Sequence, residues 1–338
     1  MGGRRTVDSP LMYAKAAGLI GTAVASYIFL VFQAQSPLGV AISATLLALA
    51  LVGIGFNVQH DGNHGTFSRR PWVNRLAGLT LDLMGASSYF WGDKHNHNHH
   101  VYTNIPEEDA DIDLGPLARM SPGQPWYWWH RYQHIYLWML YSMVHLRYLW
   151  SDLQRLALGK NDGLTIGYPK GADMAWLLGC KAFFLTVAFV IPFSLHPVGV
   201  VLGTYVFVSM TMGVIFSVVF QMAHSVDVVL HPATHDDDSR PEWVVHQIET
   251  TANFAVKSRV ATFLLGGLNF QREHHLYPRI AHAYYPEISR VVLEVCKEHG
   301  VPCRENATLI DGIRSHHRYI RSMGLKPDAV PDAVPQRA

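Results

Sequence analysis

Two stretches of this 338-residue chain contain no Asp, Glu, Lys or Arg, and they constrain its fold more than any other feature. One runs from Ala16 through His60 and the other from Ala182 through Val226, 45 residues each. A helix needs about 20 predominantly apolar residues to cross roughly 30 Å of bilayer hydrocarbon. Each stretch is therefore long enough for two crossings joined by a tight turn. The turns fall at Gln33–Pro37 and Ser194–Pro197, where Pro and polar side chains break helices. A soluble core could not easily use two uninterrupted uncharged segments of this length. The expected fold is an all-α integral membrane protein with four transmembrane helices in two hairpins, at about 14–33, 37–58, 173–194 and 198–222.

Composition agrees. Charged residues make up 16% of the chain, against roughly 25% in soluble proteins. A net charge of +1 offers a nucleic acid no electrostatic attraction. The three cysteines, Cys180, Cys296 and Cys303, have no CxxC spacing and are too few for a disulfide framework. Basic residues give the orientation: Arg4, Arg5 and Lys15 precede the first pair of spans, and Arg69, Arg70, Arg75 and Lys94 follow it. Lys170 and Lys181 precede the second pair, Lys257 and Arg259 follow it, and the two turns carry none. The positive-inside rule then puts both termini on the cytoplasmic side, with a helical cap built from about 59–172 and 223–325. The apolar run continues past Ala23-Val24-Ala25, which favours a retained helix over a cleaved leader.

Within the cap, residues 72–91 read as one helix of mixed polarity at the interface, and residues 126–150, crowded with Trp and Tyr, suit the same boundary. The acidic run Glu107, Glu108, Asp109, Asp111 and Asp113 reads as a solvated loop without calcium-loop spacing. Residues 225–260, including Asp236–Asp238, read as an exposed loop, and a helix at about 247–270 follows. Pro286 opens soluble helices over 285–323. Residues 1–325 make one domain, and 326–338, with its repeated Pro-Asp-Ala-Val, is a disordered tail.

Histidine is the outlier, with 20 copies. It clusters where the apolar stretches end: His60-Asp61-Gly62-Asn63-His64, then His95-Asn96-His97-Asn98-His99-His100, then Gln271-Arg272-Glu273-His274-His275, with His224 ahead of the last. His60 and His64 are spaced to share one face of an α-helix, as are His95 and His99, with His100 one step around. Imidazole is the commonest neutral nitrogen ligand for transition metals. Seven such rings, eight with His224, exceed what one ion takes, so the count favours two metals. Thiolates are absent from the clusters, which argues against iron–sulfur or structural zinc. Redox iron acting on lipid fits best, although ligand type alone also admits copper or zinc. Asp61 and Glu273 are expected to orient imidazoles as acceptors rather than to bind metal. The remaining histidines, among them His130, His145, His196, His231, His246 and His316, are expected to be packing or surface residues.

The three clusters, in this order on four spans, resemble the histidine boxes of the membrane fatty-acid desaturase family. Lys94-His95-Asn96, His99 through Asn104, and Asn269 through Pro278 carry most of the likeness, which covers about 40–310. Gln271, standing where many members have the first histidine of the third box, is similar to the front-end or linoleoyl-CoA-type branch. The resemblance implies two iron ions, O2 as co-substrate, and metal ligands His60, His64, His95, His99, His100, His224, His274 and His275. Gln271 would hold a water or bind weakly, and Asn269 would reach the metals through water. It implies a fatty acyl substrate, as acyl-CoA or acyl-lipid, threaded through a narrow apolar tunnel. No haem-binding His-Pro-Gly-Gly precedes the first span, so electrons are expected from a separate cytoplasmic donor such as a ferredoxin or a small cytochrome with its reductase. A lipid hydroxylase or ketolase would use the same iron pair. The alternative of another class is a non-catalytic metal-binding membrane protein or transporter; a transporter would place its ligands near mid-membrane between broken helices, whereas these sit at the cytoplasmic ends.

Overall fold

The computed structural model describes residues 7–161, 164–165, 167–231 and 242–327. The expected tail from 328 onward and the Asp236–Asp238 run lie outside the described residues. Ten principal helices follow one another: α1 (Pro10–Phe32), α2 (Pro37–Ile54), α3 (Pro71–Leu83), α4 (Gln133–Leu158), α5 (Ala172–Leu185), α6 (Val198–His224), α7 (Trp243–Glu249), α8 (Gln271–Leu276), α9 (Tyr285–His299) and α10 (Leu309–Met323). Pro opens α1, α2 and α3, where its missing N–H costs nothing. Ser36 caps α2 by accepting the N–H of Gly39 at 3.1 Å. Two minimal strand pairs lie among the described residues. Lys160–Asn161 pairs antiparallel with Leu164–Thr165, and Asn253–Phe254 pairs parallel with Glu305–Asn306.

Four described helices are long and apolar enough to cross a membrane: Pro10–Phe32, Pro37–Asn63, Ala172–Leu195 and Val198–His224. They coincide with the four expected spans. Two of the spans continue through a π-helical turn, at Gly55–Gln59 and at Thr186–Val190.

The chain divides into two compact units, 1–93 with 140–217, and 94–139 with 218–338. In the first, small residues let backbones approach. An added Cβ at Gly213 of α6 would fall 2.6 Å from the Ser142 carbonyl of α4. A buried ion pair ties α5 to α4: Lys181 Nζ donates to Asp152 Oδ2 at 2.8 Å and to the Gly85 carbonyl at 2.6 Å. An apolar cavity of about 1000 Å³ lies within this unit, bordered by Tyr27, Leu51, Met84, Phe184 and Met212.

In the second unit, Ile248, Phe270, Tyr285, Ile288, Val292 and Cys296 form a core under α9. Gly300, in the left-handed region at φ +69°, ends that helix, and Thr308 caps α10. Tyr319 of α10 is fully buried and donates to the Met120 carbonyl at 2.6 Å.

Three expectations need correction. Residues 225–260 are not an exposed loop where described: α7 and the strand Asn253–Phe254 lie within them, and Val226, Val229 and Ala252 are fully buried because they pack together as an apolar cluster. The helix expected over 72–91 stops at Leu83, because Gly85 takes φ +101° and turns the chain before a short helix at Ser88–Gly92. The helix expected over 247–270 does not form. Instead α7 ends at Glu249, the strand Asn253–Phe254 follows, and one short helix, Arg259–Leu264, precedes a turn through Gly266 and Gly267 at φ +59° and +69°. The turn glycines and the Asn253 backbone pairing outweigh an apolar content that could have continued a helix.

Candidate metal centre

The first cluster sits where the second span ends. His60 and His64 keep the expected four-residue spacing across a short helical turn, with ring centroids 4.7 Å apart. Trp91 meets both rings edge-on, at 5.9 and 6.4 Å. Gly62 lies between them, and any Cβ there would run into the Gly78 backbone of α3. Asp61 is buried and accepts from the Thr66 hydroxyl at 3.2 Å.

The second cluster departs from the expected α-helical face. Asp93–His99 is a π-helical turn, wider than an α-turn by about one residue. That geometry sets His95 opposite His100 rather than directly over His99, with the two Nε2 atoms 3.3 Å apart. His99 still stacks on His95 at 5.6 Å, and His97 is exposed.

The third cluster occupies the short helix α8, whose residues Gln271 through His275 are all buried. Within the second unit these elements converge. His99, His224 and His275 offer nitrogens within 4.8 Å of one another, and so do His100, His274 and His275. The ring centroids of His99 and His224 lie 4.6 Å apart, and those of His100 and His275 lie 4.3 Å apart.

Hydrogen bonds to the imidazoles set their tautomers. His275 Nδ1 donates to Gln247 Oε1 at 2.8 Å, and its buried Nε2 has no hydrogen-bond partner among the described residues. This is the state of a metal-ready imidazole: one nitrogen carries a satisfied proton and the other a free lone pair. Burial holds the His275 pKa well below the ordinary value, and the crowd of neighbouring histidines adds to this, so the ring stays neutral. His274 Nδ1 lies 3.1 Å from the Tyr285 hydroxyl. His99 Nδ1 lies 3.1 Å from both oxygens of Asp109. Burial alone would lower the His99 pKa, but the carboxylates of Asp109 and Asp111 outweigh it and raise it. Clusters of this kind can bind metal, and the all-nitrogen donor set fits iron.

Other expected residues sit as follows. Gln271 is buried with its side chain hydrogen-bonded to His224, and its Nε2 has no hydrogen-bond partner among the described residues. Asn269 is buried and donates to the Thr262 hydroxyl at 3.1 Å. Glu273 accepts from Asn253 at 2.7 Å and from Arg272 at 3.2 Å, neither of them an imidazole. His130, His145, His196, His231, His246 and His316 each bring a ring nitrogen to a backbone carbonyl, as packing histidines do.

Sequence reasoning missed Asp109, Gln247 and Tyr285, the groups that hold His99, His275 and His274. They lie 10, 28 and 11 residues from their imidazoles, so no local spacing marks them. Asp109 is also masked by its acidic neighbours: it is 1% exposed, whereas Glu107 and Asp113 in the same run face solvent.

Comparison with known proteins agrees with this geometry. A family model described as Fatty acid desaturase matches residues 36–307. The chain is similar to an sn-1 linoleoyl-lipid 6-desaturase of Arthrospira platensis, 37% identical over 95% of this chain and 88% of that protein. It is also similar to an sn-1 linoleoyl-lipid 6-desaturase of Synechocystis sp., 34% identical over 94% of this chain and 89% of the relative. An acyl-lipid (8-3)-desaturase of Physcomitrium patens is 32% identical over 94% of this chain and 67% of its own length. With four helices long and apolar enough to cross a membrane, three histidine boxes and a family match over most of its length, the chain belongs to the front-end branch of the membrane fatty acid desaturases and is an integral membrane enzyme of that family.

Proposed function

We propose that the enzyme introduces a double bond into an acyl chain esterified to a membrane glycerolipid, using O2 at a pair of iron ions. The observation that carries this reading is the buried set of imidazoles, several held by a second partner, in a chain of this family. A lipid-linked rather than coenzyme A-linked substrate is supported by relatives named for linoleoyl-lipid and acyl-lipid. Two hydrogens leave adjacent methylenes; with O2, two electrons and two protons they end as an alkene and two waters.

The residues that would hold iron are His60, His64, His95, His99, His100, His224, His274 and His275. Bound iron would supply the oxidising power that an unactivated C–H bond requires. The chain's own contribution is to fix donor nitrogens, keep His275 neutral and exclude water. Gln271, beside His224, would hold a water, and Asn269 would act in the same way. Asp61, two bonds from the Thr66 backbone and hydroxyl, would steady the first cluster. The apolar cavity of about 1000 Å³ in the first unit offers acyl tails a water-poor environment. Electrons would come from a separate ferredoxin or small cytochrome with its reductase. Both termini and the metal centre would face the cytoplasm.

The test is lipid analysis of a host expressing the chain together with a ferredoxin and its reductase, locating new double bonds and their glycerol position. New unsaturation in glycerolipids, absent with His275→Ala, is expected. An unchanged profile, hydroxylated chains, or product confined to the acyl-CoA pool would overturn the reading.

A further inference from the structure

The imidazoles of the second unit are not held alike. His99 has a carboxylate behind it (Asp109), His275 an amide oxygen (Gln247), and His274 a phenol (Tyr285). The Asp109 side chain is fully buried and built into place. Its Oδ2 accepts the N–H of Asn104 at 2.8 Å and its Oδ1 the N–H of Asp111 at 2.9 Å. The loop that delivers it is clamped to the π-turn by Asn98, which donates to the Glu108 carbonyl at 2.6 Å and accepts from the N–H of Ala110 at 3.0 Å. Two non-glycine residues there, Asn104 and Glu107, adopt φ of +60° and +69°. Such conformations persist only where surrounding structure enforces them. Lys94 pairs with the neighbouring Asp111 at 3.0 Å, and Asp111 Oδ2 lies 3.5 Å from His99 Nδ1, so that carboxylate is shared between the cation and the ring.

A carboxylate accepting an imidazole N–H draws that proton further than an amide or a phenol does, and makes the opposite nitrogen a stronger donor. The two nitrogen triads differ in this respect: the one with His99 and His224 has the carboxylate, and the one with His100 and His274 has the phenol. We propose that Asp109 is a positioning residue that acts through His99, and that it makes the two metal ions unequal, the ion on His99 being the more electron-rich and the more tightly held. This rests on the di-iron reading above.

The test is anaerobic Fe(II) titration of the purified full chain in detergent, with Mössbauer spectra of the iron-loaded protein. Wild type should take up two irons with two distinct signals. Asp109→Asn should weaken one binding step by roughly 10- to 100-fold and shift one signal. Tyr285→Phe should perturb the other signal, and Asp109→Glu, which keeps the charge, should recover part of the lost affinity. Thermal unfolding of the metal-free variants separates loss of fold from loss of tuning, and Asn98→Ala loosens the loop with the carboxylate intact. Unchanged binding and spectra in Asp109→Asn would overturn the proposal. So would an equal loss at both steps, or a loss reproduced in full by Asn98→Ala together with a lowered metal-free stability. Wild-type protein that binds no iron would instead sink the di-iron reading and the proposal with it.

Discussion

His95 and His100 face each other through their Nε2 atoms at 3.3 Å, although an α-helix would not bring residues five apart into line. The π-turn Asp93–His99 makes this possible by inserting one extra residue per turn. Two lone pairs at that distance repel unless a proton or a metal ion relieves them, so the turn is suited to a shared cation. Deleting Asn96 should collapse the π-turn to an α-turn and separate the pair. Desaturation and bound iron should both fall, by roughly the 100-fold expected when a ligand's geometry is lost, while Asn96→Ala, at unchanged length, retains both. Product analysis and iron content check this, and a fully active deletion would refute it.

Lys181 and Asp152 form a pair whose side chains are 10% and 1% exposed. Removing Lys181 leaves the buried Asp152 carboxylate with the more distant Arg155, at 3.3 Å, as its partner. Lys181→Met should therefore lower stability by roughly 3–5 kcal/mol. The double variant Lys181→Met with Asp152→Leu should recover most of that loss, because a buried pair costs desolvation that two apolar side chains do not. Thermal unfolding in detergent of the two single variants and the double decides it, and strictly additive losses would contradict the pairing.

What the sequence made legible was whatever composition or short spacing encodes. The four spans follow from uncharged length alone, and the structure starts the first at Pro10 because a proline suits the opening position of a helix. The boxed histidines were legible because they recur within five residues of one another. Asp109, Gln247 and Tyr285 were not, since each meets its imidazole through tertiary folding and belongs to a residue type common in loops and helices. The π-turn of the second cluster was hidden as well: nothing in His95-Asn96-His97-Asn98-His99-His100 distinguishes a π repeat from an α repeat.

Gly62 lies within the first cluster, where a side chain would strike the Gly78 backbone and the Ala77 side chain of α3. No rotamer relieves a clash made by Cβ itself against backbone. Gly62→Ala should therefore push the His60–His64 turn away from α3, costing roughly 1–3 kcal/mol of stability and most of the activity. Unfolding midpoint and product yield of this variant are the readouts. Wild-type values for both would show that α3 can yield without moving the histidines.

Acid should weaken the second unit through two histidines that the metal centre does not use. Burial pushes the pKa of His231 and of His316 down to about 4, although each keeps one bond to a backbone carbonyl. Both are neutral when folded, whereas an unfolded chain protonates them near pH 6.5. The unfolded state thus binds more protons as pH falls below 6.5, and stability is lost progressively from there down to about 4. Above pH 6.5 neither group contributes to the pH dependence. Each accounts for about 3 kcal/mol over the full window. Unfolding midpoints of the metal-free protein at pH 7.5, 6 and 5, all about one unit or more apart, should fall in that order, and His316→Gln should flatten part of the slope by removing one titrating ring. An equally steep acid dependence in His316→Gln and in a His231→Gln, His316→Gln double variant would assign the loss to other groups.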